Sequence, residues 1–146
     1  MILTTRGRYA VTAIIDLCEI LESTPAQKAV RLESIAKRQN ISLAYLEQIF
    51  ANLKKADIIG SRRGPGGGYF LKKAPKDITI SDIICATGEN IKMTSCSIGS
   101  SAGCGSKKAE LGSKCKTHKL WKGLENNIYS YLGSISILDV HNNDYA

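Results

Sequence analysis

A glycine run between two β-prone segments, placed straight after two short helical patterns, constrains this chain more than any other feature. Residues 31–39 carry Leu32, Ile35 and Ala36 on one helical face, and Asn40-Ile41-Ser42 breaks the pattern. Ser42 suits a helix N-cap, because its hydroxyl can satisfy an orphan amide of the first turn. The helix it opens runs to about Lys55, with Leu43, Leu46, Ile49, Phe50 and Leu53 facing inward. Ile58 to Arg63 is β-prone, Gly64-Pro65-Gly66-Gly67-Gly68 is a turn, and Tyr69-Phe70-Leu71 is β-prone again. Two helices around a tight turn, followed by a hairpin, make a winged helix-turn-helix. The helix-turn-helix spans about residues 32–55 and the wing about 58–73.

The remaining segments complete a mainly α chain with a small β-hairpin. Residues 5–22 are expected to form a first helix, capped by Thr4 or Thr5, with Val11, Ile14, Ile15, Cys18 and Leu21 on its apolar stripe. Beyond Pro75, Ile78-Thr79-Ile80 leads into a short helix through Ala86, for which Ser81 is the expected cap. From Ile91 to Thr117, Gly, Ser, Lys and Cys dominate, which predicts a long loop; loops of this length usually have a function or lack order. A last helix is predicted from His118 to Leu132, where Leu120/Trp121, Leu124, Ile128 and Tyr131/Leu132 recur at helical spacing, and Ile135, Ile137, Leu138 and Val140 extend its apolar load. The expected organisation is a DNA-binding domain over 1–90, a cysteine-bearing loop over 91–117 and a dimerisation helix with its C-terminal segment over 118–140. Cys18 and Cys85 read as packed residues, and His141, near a polar and frayed end, receives no role.

Charge sharpens the functional reading. The formal net charge is +7, and residues 37–76 alone hold nine basic side chains against Glu47 and Asp57. So concentrated a block suits a polyanion such as double-stranded DNA. In winged modules the front of the second helix reaches base edges, which nominates Ser42, Ala44, Tyr45, Glu47 and Gln48. Glu47 could accept from a cytosine amino group and Gln48 could bracket an adenine edge; the plainer alternative pairs Glu47 with Lys54 or Lys55 on a solvated face. Lys54, Arg62, Arg63 and Gly64 complete the expected DNA-binding set, with the wing arginines on phosphate or in a minor groove. Such proteins read pseudo-palindromic operators as two-fold dimers, so the last helix is expected to pair with its twin.

The chain holds five cysteines, and no apolar run approaches the ~18 residues of a membrane span. The N-terminus lacks a secretory pattern, so the expected location is the cytoplasm, where an odd cysteine count points to metal or redox chemistry rather than a disulfide framework. Cys96, Cys104, Cys115 and His118 form a possible four-donor set whose softness suits zinc, copper(I) or an iron–sulfur cluster. The spacing alone leaves cluster, zinc and free thiols open. A Cys115–His118 nucleophile–base pair lacks a visible orienting residue or oxyanion device, which disfavours an enzyme.

Three stretches carry a resemblance. Leu3 to Ala13, Ile41 to Phe50 and Arg63 to Tyr69 are similar to segments of the IscR-type bacterial repressors, and Cys115-Lys-Thr-His-Lys-Leu-Trp121 completes the likeness over about residues 1–138. The resemblance implies a homodimeric winged-helix regulator of iron–sulfur cluster assembly that senses cluster supply or oxidative stress. It implies a [2Fe–2S] cluster on Cys96, Cys104, Cys115 and His118, with zinc as the alternative metal. It also implies that Glu47 discriminates between two operator classes. The gaps between neighbouring cysteines are seven and ten residues here, wider than in that branch. Roughly doubling a flexible loop adds only about 0.6 kcal/mol of closure entropy, so ligation survives the widening.

Overall fold

The computed structural model describes residues 3–93 and 116–145. The chain runs through helices α1 (Thr5–Ser23), α2 (Leu32–Gln39) and α3 (Leu43–Lys55), strands β1 (Ile59–Arg62) and β2 (Gly68–Leu71), then α4 (Ile80–Ala86), α5 (His118–Gly133) and α6 (Ile137–His141). It is mostly helical with one two-stranded antiparallel sheet, as the sequence pattern predicts.

The α1 stripe of Ala10, Ala13, Ile14, Leu17 and Cys18 is buried, and it meets Ile35 of α2 and Leu46, Ile49, Phe50 and Leu53 of α3 in one core. Asn40 ends α2 in the left-handed conformation (φ 52°), which asparagine tolerates better than most residues. The Ser42 hydroxyl then accepts from the Tyr45 amide at 3.4 Å, capping α3 as expected. Asp16 is an unforeseen member of the buried α1 face, at 2% exposure. A desolvated carboxylate needs charged donors, and Arg38 of α2 supplies them: its Nε donates to Oδ1 at 2.9 Å and Oδ2 at 3.2 Å, while Nη2 lies 2.9 Å from Oδ1.

The hairpin pairs Ile59 with Leu71 and Arg62 with Gly68 at its two ends. It is tied to the body on both sides. Phe50 meets Tyr69 edge to face, centroids 5.0 Å apart. Across the sheet edge, the Val30 amide donates to the Tyr69 carbonyl at 2.9 Å and the Tyr69 amide to the Val30 carbonyl at 2.7 Å. Gly68 permits this bridge: a Cβ there would lie 2.3 Å from the Val30 carbonyl oxygen, and its φ of 147° disfavours any side chain.

Two expectations for α4 are corrected. Thr79, rather than Ser81, caps the helix, in a reciprocal box with Asp82. Three residues beyond Ser81 stands Ile84, which could not complete such a box. Cys85 is exposed rather than packed, because Ile80, Ile83 and Ile84 occupy the buried side of this seven-residue helix.

None of the residues of α5 is buried. Ile128 and Leu132 in its second half lean on a small core of Ile80, Ile84, Ile91 and Ile135, and the Tyr129 hydroxyl accepts from the Ile91 amide at 2.9 Å. After Ser134 the chain doubles back: Ile80 donates to the Ile135 carbonyl and Ile137 to the Ile78 carbonyl, each at 2.9 Å. Ile135 to Val140 therefore do not prolong the last helix. They enter a separate α6, capped by Ser136 and Asp139, that packs on α1. His141, without a role in the sequence reading, ends α6 with Nε2 at 2.8 Å from Glu22 of α1. No helix among the described residues is long and apolar enough to cross a membrane.

Candidate nucleic-acid interface

Helix α3 presents Ala44, Glu47, Gln48, Ala51, Lys54 and Lys55 to solvent, because the opposite positions are fixed in the core. Tyr45 differs from its expected neighbours. It is half-buried and packs edge to face against Tyr9 of α1, centroids 6.0 Å apart. Its ring therefore steadies the front of α3. Ser42 is engaged as the cap while remaining exposed.

Glu47 and Arg62 line one open groove between α3 and the wing, together with Arg31, Glu33, Leu43 and Tyr69. Among the described residues Glu47 makes no ion pair within 4.0 Å, so the surface pairing with Lys54 or Lys55 does not form. Lys54 instead donates to the Ser61 hydroxyl of β1 at 2.6 Å, which links the helix to the wing. Arg62, Arg63 and Gly64 are exposed, and Gly64 turns the tip with φ 95°.

Two of the nine basic residues, both exposed, pair with acids of their own chain. Arg38 holds Asp16, and Lys72 pairs with Asp57 at 2.8 Å, a hydrogen-bonded contact that holds the Asp57 carboxyl below its ordinary pKa. Lys37, Lys54, Lys55, Arg62, Arg63, Lys73 and Lys76 make no ion pair among the described residues and are exposed. The Arg38 pairing leaves no local signal in the sequence, because its acid lies 22 positions away.

Of the four expected metal ligands, His118 is the first residue of α5 and is partly exposed. Cys96, Cys104 and Cys115 lie outside the described residues. Their thiolates and the His118 imidazole remain a donor set of the softness that iron–sulfur clusters and zinc select. A partly exposed imidazole at a helix start is also accessible to a metal group.

A stripe of Leu120, Trp121, Leu124 and Tyr131 stands exposed on α5, at 62, 38, 38 and 52%. Among the described residues, four of the six exposed large hydrophobic side chains lie on this helix.

Residues 3–143 match the family model described as Rrf2, iron-dependent transcriptional regulator. The HTH-type transcriptional regulator IscR of Escherichia coli O1:K1 is 41% identical over 143 residues, covering 98% of this chain and 82% of that protein. The structure of T. potens IscR superposes with a TM-score of 0.74 at 31% identity, covering 98% of this chain and 88% of the other. CymR, the global cysteine regulator of B. subtilis, superposes with a TM-score of 0.75 at 28% identity, covering 98% of both chains. These relatives are transcriptional regulators, not enzymes, and the chain belongs to the Rrf2 family of iron-dependent transcriptional regulators.

Proposed function

We propose that this regulator is a homodimer that reads operator DNA under the control of a [2Fe–2S] cluster, and that it adjusts cluster-assembly genes to iron–sulfur supply or oxidative stress. The carrying observation is the groove shared by Glu47 and Arg62, set beside the Cys96, Cys104, Cys115 and His118 donor set and the likeness to IscR. Ala44, Glu47 and Gln48 enter the major groove, where Glu47 supplies specificity and repels phosphate. Arg62, Arg63 and the Gly64 backbone follow the neighbouring backbone or minor groove. Lys54 holds the wing to α3, and Ser42 and Tyr45 hold the front of α3 in place. The α5 stripe of Trp121 and Leu124 pairs with its twin.

Cys96, Cys104, Cys115 and His118 would hold the cluster, which when bound supplies a releasable, oxidisable tie between the 91–117 segment and α5. The chain offers a route from that tie to the DNA. Tyr129 of α5 holds Ile91, α5 leans on α4, and α4 touches both α1 and α3. A change in the seating of α5 is thereby passed to the helix bearing Glu47, and operator binding and cluster retention favour the same state, as reciprocal coupling requires.

The first test is the absorption spectrum of anaerobically purified protein, with iron, sulfide and zinc assayed on one sample. Charge-transfer bands with about two irons and two sulfides per chain are expected, and replacing any of the four ligands should remove them. Protein that stays colourless after reconstitution would overturn cluster control. The likeness to CymR favours a thiol-responsive repressor as the second reading, and stoichiometric zinc would indicate a zinc-stabilised one.

A further inference from the structure

The end of the chain returns to α1 at a place where three metal-binding side chains converge. Cys18 and Glu22 stand four residues apart on α1, so helical geometry puts them on one face. His141 arrives as the last residue of α6. The Cys18 thiol donates to Glu22 Oε1 at 3.8 Å, and His141 Nε2 lies 2.8 Å from Glu22 Oε2. All three potential ligand atoms lie within 4.8 Å of one another.

A tetrahedral zinc ion with sulfur, nitrogen and oxygen ligands separates them by about 3.3–3.6 Å, given its usual bond lengths. The two contacts, from Cys18 to Oε1 and from His141 to Oε2, fall on different oxygens of the Glu22 carboxylate, so a small turn of that exposed side chain brings one oxygen to serve both. Access is available from one side: the Glu22 side chain is 46% exposed and that of His141 24%, while Cys18 forms the closed floor at 1%. Burial, aided by Glu22, pushes the Cys18 thiol up to about 11. Zinc binding as thiolate releases the Cys18 proton to water.

We propose that Cys18, Glu22 and His141 form a zinc site with a fourth position left to water, separate from the Cys96, Cys104, Cys115 and His118 set. Bound zinc joins α6 to α1 across 123 residues of chain and fixes the base of α5 through the short Ser134–Ser136 return. The site does not depend on the cluster reading, since none of its ligands is shared.

The test uses the full chain with Cys96, Cys104 and Cys115 all replaced by Ser, which leaves Cys18 as the ligand thiol and Cys85 as an exposed thiol on α4. Titration with cobalt(II), then competition with zinc(II), should show one metal per chain and a thiolate-to-cobalt charge-transfer band. Adding His141→Ala, a change at a partly exposed position, should weaken binding at least tenfold while the far-ultraviolet circular dichroism stays unchanged. Cys85→Ser should leave the band in place. Zinc should raise the melting temperature of the parent and not of the His141→Ala form. A folded parent with no thiolate–cobalt band, or a band that survives His141→Ala undiminished, would overturn the proposal.

Discussion

Helices α3 and α5 are built on similar apolar spacing and meet opposite fates. Over 13 residues, α3 buries Leu46, Ile49, Phe50 and Leu53. Over 16 residues, α5 buries none. The difference lies in the partners each chain segment brings. Helix α3 is enclosed by α1, α2, β1 and α4 of its own chain, so its outer face is free to be polar and to read a ligand. Helix α5 touches α4 along its second half, and among the described residues Leu120, Trp121 and Leu124 stay exposed. A stripe completed within one chain supports folding, whereas one left open among the described residues is what the proposed dimer would cover.

The sharpest way to break this comparison is to damage both helices. Phe50→Ala removes a fully buried ring and should cost about 3–5 kcal/mol of stability in denaturant unfolding. If α5 pairs with its twin as proposed, Trp121→Asp should leave unfolding of the isolated chain nearly unchanged and raise the dissociation constant of that dimer about 30-fold, the ~2 kcal/mol typical of an interface anchor, as read by sedimentation. If Trp121→Asp unfolds the chain as Phe50→Ala does, α5 is a core helix after all. On the exposed side of α3, Glu47→Ala should leave the fold intact and erase about 1–3 kcal/mol of discrimination at one base pair, measured on operator variants. An unchanged base preference would remove Glu47 from the reading surface.

The smallest effect concerns the return that seats α5. Ser136→Ala deletes the α6 cap and should cost about 1 kcal/mol. Bonds from the Ser136 amide and then its hydroxyl lower the Asp139 pKa. A lowered folded value stabilises the protein above the ordinary carboxylate value of ~4, and that contribution fades as pH falls through the folded pKa. The variant should therefore lose less stability than the parent on acidification below ~4; parallel acid curves would show that this bond carries no linkage.

The elements legible in the sequence were those fixed by local rules. Apolar periodicity located α1, α2, α3 and α5, and the glycine run located the wing. The Thr79–Asp82 and Ser136–Asp139 boxes were also written locally, yet neighbouring serine and apolar residues masked them. What local rules cannot carry is a meeting of distant residues. Asp16 looks like an interruption of an apolar stripe until Arg38 reaches it. Cys18 is the buried core residue that its helical phase predicts, but His141 looks like a frayed end until α6 folds onto α1 and seats it on Glu22. The candidate site divides in the same way: the outward residues of α3 follow from helix phase, while the inward seating of Tyr45 depends on Tyr9, 36 positions away.

The bridge between Val30 and Tyr69 has a thermodynamic consequence. With Gly68 pressed against Val30, Phe50 beneath Tyr69 and Lys54 bound to Ser61, the hairpin is ordered when the protein folds rather than when DNA arrives. A flexible wing would lose conformational entropy on docking and could adjust to many groove spacings. This one holds its distance from α3 like the jaw of a calliper. A duplex read in the proposed way must bring its grooves to that separation, so the cost of a poor match falls on bending the DNA, and sequence-dependent stiffness becomes part of operator choice at base pairs the protein never touches.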